Sequence, residues 1–164
     1  MPNKLVSLWR AIMDIAKVLV AIDESEDSER ALNFALGLSD KFGSAVTILN
    51  VSEALPVAPN PADALSSSNT DKAAVAKDIS NIHENFLTKS AEKAKASHPN
   101  LTISSMHKQG DPAIEIVHTA KEGAFGVIVI GHRGQGKMRV RDFLMGTISE
   151  KVAHLAPCPV IVVK

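Results

Sequence analysis

Cysteine is nearly missing from this 164-residue chain. Cys158 stands alone, which excludes a disulfide framework and a cysteine-based zinc site. Set between Pro157 and Pro159, it reads as a small packed residue rather than a nucleophile. An excess of either charge is missing too. Lys+Arg and Asp+Glu stand at 18 each, so no global field draws the chain to nucleic acid or to anionic lipid. Long apolar runs are also lacking. None approaches the roughly 18 residues that would span a bilayer. Arg10 and Asp14 interrupt any signal-peptide core, and no small-residue cleavage site follows. The expectation is a cytoplasmic protein with neither a membrane nor a nucleic acid as partner.

What is present is an ordinary globular balance, 45% apolar and 22% charged, in a length that suits one domain. Residues 1–16 read as an N-terminal amphipathic helical extension. Leu5, Leu8, Trp9, Ile12, Met13 and Ala16 recur there at helical spacing, as in a helix packed on its own domain or on a partner subunit. Residues 17–164 form the domain proper. Val18 to Asp23 is an apolar run without alternation, the mark of a strand covered on both faces. Ser25 or Asp27 can cap the helix that follows, and Gly43 closes it. Ala45 to Val51 is a second buried run. From Ser52 to about Asp71 the Pro, Ala, Ser and Asn content predicts a long loop, either plain surface or a lid over a site.

A helix is expected over about Ala73 to Ser97, and a third strand from Leu101 to near His107. Asp111-Pro112 opens the next helix, with Asp as cap and Pro at the first position. Phe125 to Ile130, Phe143 to Leu155 and Val160 to Val163 complete the series as strand, helix and strand. Strand and helix alternate from residue 17 onward. That pattern defines an α/β fold: a single-domain open parallel sheet with right-handed crossovers and helices on both faces.

Ligands of such sheets bind beyond the carboxyl ends of the strands, where strand order reverses. The fourth strand runs directly into Gly131-His132-Arg133-Gly134. Gly136 follows, then Gly146-Thr147 at a helix start. Glycines let backbone N–H groups turn toward phosphate oxygens, and a helix N-terminus adds unpaired donors and its positive dipole end. His132, Arg133, Lys137, Arg139 and Arg141 make the segment locally cationic, opposed only by Asp142. It is not a Walker loop, because no Gly-Lys-Ser/Thr stands at the required spacing. It is not a Rossmann fingerprint either, since the glycines follow the fourth strand rather than the first.

Taken with Val20-Ala21-Ile22-Asp23, Asn50-Val51, Gly110-Asp111-Pro112 and the ending Ala156-Pro157-Cys158-Pro159-Val160, this segment resembles the universal stress proteins from Lys17 to Lys164. The resemblance implies strand order 3-2-1-4-5, an adenine nucleotide alpha hydrolase-like, Rossmann-like sheet. It implies that Asp23 and Val51 lie at the adenine and that Ala21 lines the pocket. Ile130, Gly131 and Gly134 then follow the ribose and phosphates, and Gly146, Thr147 and Ile148 close on the phosphates. The nucleotide-binding branch of the family carries Gly-x2-Gly-x9-Gly-Ser/Thr. Here eleven residues separate Gly134 from Gly146, and the nine-residue spacing is met from Gly136. A two-residue bulge reconciles the two.

The cofactor expected is ATP, with AMP as its alternative and Mg2+ as a companion of the phosphates. No metal-ligand spacing and no nucleophile with an identifiable base stands out, so no catalytic or metal residue is assigned. His118 and His132 read as surface or packing residues. The function expected is a nucleotide-responsive regulatory module in stress response. Its alternatives are a slow ATP hydrolase or nucleotidyl-transfer enzyme, and a nucleotide-independent dimeric interaction protein. In a 3-2-1-4-5 sheet the Val160–Val163 strand is an edge, which favours a homodimer through that strand.

Overall fold

The computed structural model describes residues 15–53, 69–134 and 146–164. Along the chain come β1 (Lys17–Ala21), α1 (Glu26–Phe42), β2 (Ala45–Ser52), α2 (Asn69–Ser97) and β3 (Ile103–Gln109). Then follow α3 (Pro112–Glu122), β4 (Val127–Gly131), α4 (Thr147–Leu155) and β5 (Val160–Val163). All neighbouring strands pair in parallel, in the order β3-β2-β1-β4-β5. The expected α/β sheet and its strand order are both present.

The central strands lack alternation because both their faces are covered. Val18, Leu19 and Val20 of β1 and Ile128 and Val129 of β4 are fully buried. Val18, Val20, Ile48 and Val129 pack with Leu32 and Leu36 of α1 and with Leu87 and Ala94 of α2. Leu19, Leu49, Ile128 and Ile130 pack on the opposite face with Ala113 and Ile116 of α3 and Val152 of α4. β1 therefore sits at the middle of the sheet, with the chain winding outward through β2 on one side and β4 on the other.

Helix ends follow their capping chemistry. The Ser25 hydroxyl accepts from the N–H of Ser28, and Gly43 takes the left-handed conformation at φ 64° as it closes α1. The Asp111 carboxylate accepts from the N–H groups of Ala113 (2.9 Å) and Ile114 (3.2 Å) at the start of α3. The Ile114 N–H and the Lys151 ammonium, 3.1 Å away, hold the Asp111 carboxyl below its usual range. A depressed carboxylate stabilises the fold fully above its ordinary value of 3.8, and this contribution fades as pH falls further. Asp111→Ala is expected to lower Tm at pH 7 and to flatten its acid dependence below that value, as read by thermal melts across pH.

Several element boundaries differ from the sequence reading. α2 begins at Asn69, ahead of the expected Ala73 and inside the stretch read as loop. Asn, Thr and Asp favour caps and turns, so a first turn made of them looks irregular in composition. Residues 54–68 of the expected 52–71 loop, and 1–14 of the expected N-terminal helix, lie outside the described residues. β3 starts at Ile103 rather than Leu101 and continues past His107 to Gln109. As an edge strand of largely polar sequence it is defined by backbone pairing, with Asn50 to Ser52 of β2 in register with His107 to Gln109. β4 starts at Val127 rather than Phe125, whose N–H bonds back to Ala120 at the end of α3. β1 ends at Ala21, which leaves Asp23 on the turn beyond it.

Beneath α2, the ring of His107 stacks on His83 with centroids 5.5 Å apart and planes 10° from parallel. His107 Nε2 lies 3.0 Å from the Ser52 hydroxyl. Burial first, and then the neighbouring His83, push His107 below its ordinary 6.5. A lowered imidazole stabilises the fold fully above 6.5 and loses that contribution as pH falls from there toward its folded-state value. Urea unfolding at pH 7.5 and 5.5 should therefore give lower stability at the acid value, and His107→Gln should shrink the difference.

Candidate functional site

β1 and β4 are adjacent, with Ala21 in register with Ile130, and both end at the same edge of the sheet. From β1 the chain turns into α1 on one face; α4 packs on the other. The two departures mark the point where strand order reverses, which is where open parallel sheets bind their ligands.

Gly131 ends β4 against the first turn of α1. A Cβ there would stand 2.8 Å from the Asp27 carbonyl carbon and 2.9 Å from the Ser28 nitrogen. Only glycine admits that approach. The next residues are pinned from three sides. His132 N–H donates to the Val163 carbonyl of β5 (2.6 Å), and its own carbonyl accepts from Gly146 N–H (2.9 Å) and from the Ser149 hydroxyl (3.1 Å). Arg133 N–H donates to Asp27 Oδ2 at 3.0 Å, and the Arg133 carbonyl accepts from the Ser25 hydroxyl at 3.3 Å. Gly134 then lies over Asp23, where an added Cβ would fall 2.6 Å from Oδ2. Asp23 is itself oriented, its Oδ1 accepting from the Ser25 N–H (3.0 Å) and from the Ser25 hydroxyl.

The bond from Gly146 to His132 brings the start of α4 beside this glycine loop. α1 and α3 have side-chain caps, whereas Gly146 offers none to α4. The first-turn amides of α4 thus have no side-chain acceptor at the cap, and they carry the positive end of its dipole. Apolar side chains lie on the same side. Buried Ala21 and Ile130, with the half-buried Val51 and Ile148, belong to the core cluster on the α3/α4 face. Buried Asn50 ties the turn after β1 to β2 by donating to the Ile22 carbonyl at 2.9 Å.

Of the residues singled out from sequence, Ala21, Asp23, Ile130, Gly131, Gly134 and Gly146 converge at the ends of β1 and β4. Val51 and Ile148 face the same side, and Thr147 is the exposed first residue of α4. Gly136 and the bulge residues Gln135 to Arg141 lie outside the described residues. His132 is buried, which fits its reading as a packing residue and removes it from the exposed loop cations. Sequence reasoning missed the scaffold that holds the loop. Asp27 had been weighed only as a cap, and Ser149 carried no signal because a serine inside an amphipathic helix looks like surface. Among the described residues no group of three His, Cys, Asp or Glu could hold a metal ion. Burial pushes the Cys158 thiol up, in keeping with a packed and unreactive side chain. Among the described residues no helix is long and apolar enough to cross a membrane.

These features define an open parallel α/β protein with a glycine loop and a helix start meeting at its topological switch point. The chain belongs to the universal stress protein family, whose model matches residues 15–164. It is 31% identical over 156 residues to the universal stress protein YxiE of Bacillus subtilis, across 90% of this chain and 98% of that one. Its fold is similar to that of the universal stress protein UspA from Lactobacillus plantarum, with TM-score 0.67 and 24% identity over 92% of this chain and 98% of that chain. It is also similar to the universal stress protein from Archaeoglobus fulgidus solved in complex with dAMP. There the TM-score is 0.54 and the identity 21%, over 93% of this chain and 99% of that chain.

Proposed function

We propose that this switch point binds an adenine nucleotide, ATP or AMP, and that the protein is a nucleotide-responsive regulatory module in stress response. One observation carries this reading. The uncapped N-terminus of α4 is bonded directly onto the glycine loop of β4, above the oriented carboxylate of Asp23. The first-turn amides and dipole end of α4, which Gly146 leaves without a side-chain cap, lie beside the glycine loop and suit a phosphate chain. The apolar side chains on the same side suit a flat base. The Archaeoglobus relative, captured with dAMP, supports an adenine compound as the ligand class.

In this assignment Ala21, Asp23 and Val51 meet the adenine end, and Ile130, Gly131 and Gly134 run along the ribose and phosphates. Gly146, Thr147 and Ile148 close on the phosphates, and Gly136 joins the same cradle on sequence grounds. The phosphates carry Mg2+ with them, and the protein resides in the cytoplasm. The test is mass spectrometry of the denatured pure protein together with calorimetric titration by ATP and AMP. Binding with little turnover is the expected result. No binding at millimolar nucleotide overturns the proposal and favours a nucleotide-independent interaction protein. Multiple turnovers abolished by Thr147→Ala would instead make it a hydrolase.

A homodimer through β5 belongs to the same reading. Val160 to Val163 form an edge strand whose side chains are only half buried, so its outer backbone groups and apolar side chains invite a second copy across a two-fold axis. Mass measurement at micromolar concentration should give the dimer, and a monomer alone would refute it.

A further inference from the structure

α2 is held to the sheet in two different ways along its length. Toward its end, Leu87, Ala91 and Ala94 are buried in the cluster that also takes in Ile103 of β3. Ahead of Phe86 a pair of imidazoles takes the place of that apolar packing. Ile82 is exposed there, and His83 stacks on His107 of β3, two alternations along the strand from Ile103.

The stack suits neutral rings and resists charged ones. His107 Nε2 lies 3.0 Å from the hydroxyl of the buried Ser52, which can donate or accept. Nδ1 of His83 is buried and has no partner among the described residues. A second proton on that ring would place an N–H at this atom with nothing to receive it. Two charged rings would also repel one another across 5.5 Å. Little stands by to offset this. Glu84 of α2 is the carboxylate that favours a charged His107, and it is exposed to solvent. β2 brings Asn50 and Ser52 to the pair, and β3 brings Ser105 and Gln109 on the same face as His107, all of them uncharged. Lys108 points to the other face, where it pairs with Glu115 and Glu122. Burial, and then His83, hold His107 below 6.5, so an opened helix takes up a proton that the docked one does not.

We infer that the His83–His107 stack is an acid-released latch: neutral rings dock α2 ahead of Phe86 onto β3, and protonation lifts that part of the helix away. Leu87, Ala91 and Ala94 keep the rest of α2 in place, so the opening stays local. Ser52 directly follows Val51, so release also frees the end of β2 that the adenine assignment uses; that consequence alone rests on the proposed function.

Amide hydrogen exchange without nucleotide tests the latch, so its failure and the failure of the adenine reading stay separate. From pH 7.5 to 5.5, corrected for the intrinsic rate, residues 77–86 should lose protection roughly tenfold, the gain in opening when one imidazole of ordinary pKa takes its proton only in the open helix. Residues 17–21 and 127–131 should keep theirs. His83→Gln and His107→Gln should each shrink the loss and together remove it, with circular dichroism checking that the sheet persists. Unchanged protection of residues 77–86 at pH 5.5 would overturn the proposal without any variant. A loss shared equally by β1 and β4 would mark global weakening, and a loss that survives the double substitution would have another origin; either result also overturns it.

Discussion

Gly134→Val is expected to weaken ATP binding by roughly ten- to a hundredfold while leaving the protein folded. The added Cβ meets Asp23 Oδ2 at 2.6 Å, but the Asp23 Cγ lies 3.8 Å away and, among the described residues, no backbone atom is within contact. A carboxylate on a turn can rotate aside, so the fold tolerates the change. The proposed site does not. Asp23 loses the orientation that Ser25 gives it, and two methyl groups enter the space the phosphates would use. Each charge-assisted hydrogen bond lost is worth about 1.5–3 kcal/mol, which sets the size of the effect. Calorimetric titration of the variant, beside a thermal melt matching the parent, is the measurement. Unchanged affinity would place the nucleotide somewhere other than over Gly134.

The elements readable from the sequence are those where one physical requirement dominates. β1 and β4 are buried on both faces, and nothing except an unbroken apolar run satisfies that. Gly43 and Asp111-Pro112 mark helix ends because left-handed backbone and unpaired amides demand particular residues. β3 was harder. Most of its side chains contribute little to the core, and its length is set by the ladder to β2 rather than by its own composition. The first turn of α2 was hidden for a similar reason, since Asn69-Thr70-Asp71 would serve a loop equally well.

The candidate site divides along the same line. Glycines announce themselves by residue type, so Gly131, Gly134 and Gly146 could be marked before any fold was known, although close approach of backbone explains only Gly131 and Gly146. The groups that hold those glycines in place are ordinary polar residues. Asp27 reaches Arg133 N–H across 106 positions, and Ser149 reaches the His132 carbonyl across 17. Neither separation has a local signature. Such contacts exist only once β4 has been laid beside β1 and α4 has been brought back over its end.

That scaffold makes Gly131 the opposite case to its neighbour three residues on. Gly131→Val should destabilise the fold itself by about 3 kcal/mol, a large share of the 5–15 kcal/mol that holds a domain together. Its Cβ would stand 2.8 Å from the Asp27 carbonyl carbon, 2.9 Å from the Ser28 nitrogen and 3.0 Å from the Asp27 Cβ. Two of these atoms are backbone in the capped first turn of α1, and rotating a side chain cannot relieve them. Either β4 withdraws from α1 or the turn moves. Moving the turn strains the Ser25 cap and the bond from Arg133 N–H to Asp27. Withdrawing β4 loosens its register with β5, in which Gly131 faces Val163. Gly131→Ala should err in the same direction by a smaller amount, since its single methyl meets the same atoms. Urea unfolding separates the two glycines cleanly: Gly131→Val lowers the midpoint in the absence of any nucleotide, whereas Gly134→Val leaves it near the parent value. Parent stability in Gly131→Val would mean that β4 and α1 are not in the contact described, and the geometry of the site above them would fall with it.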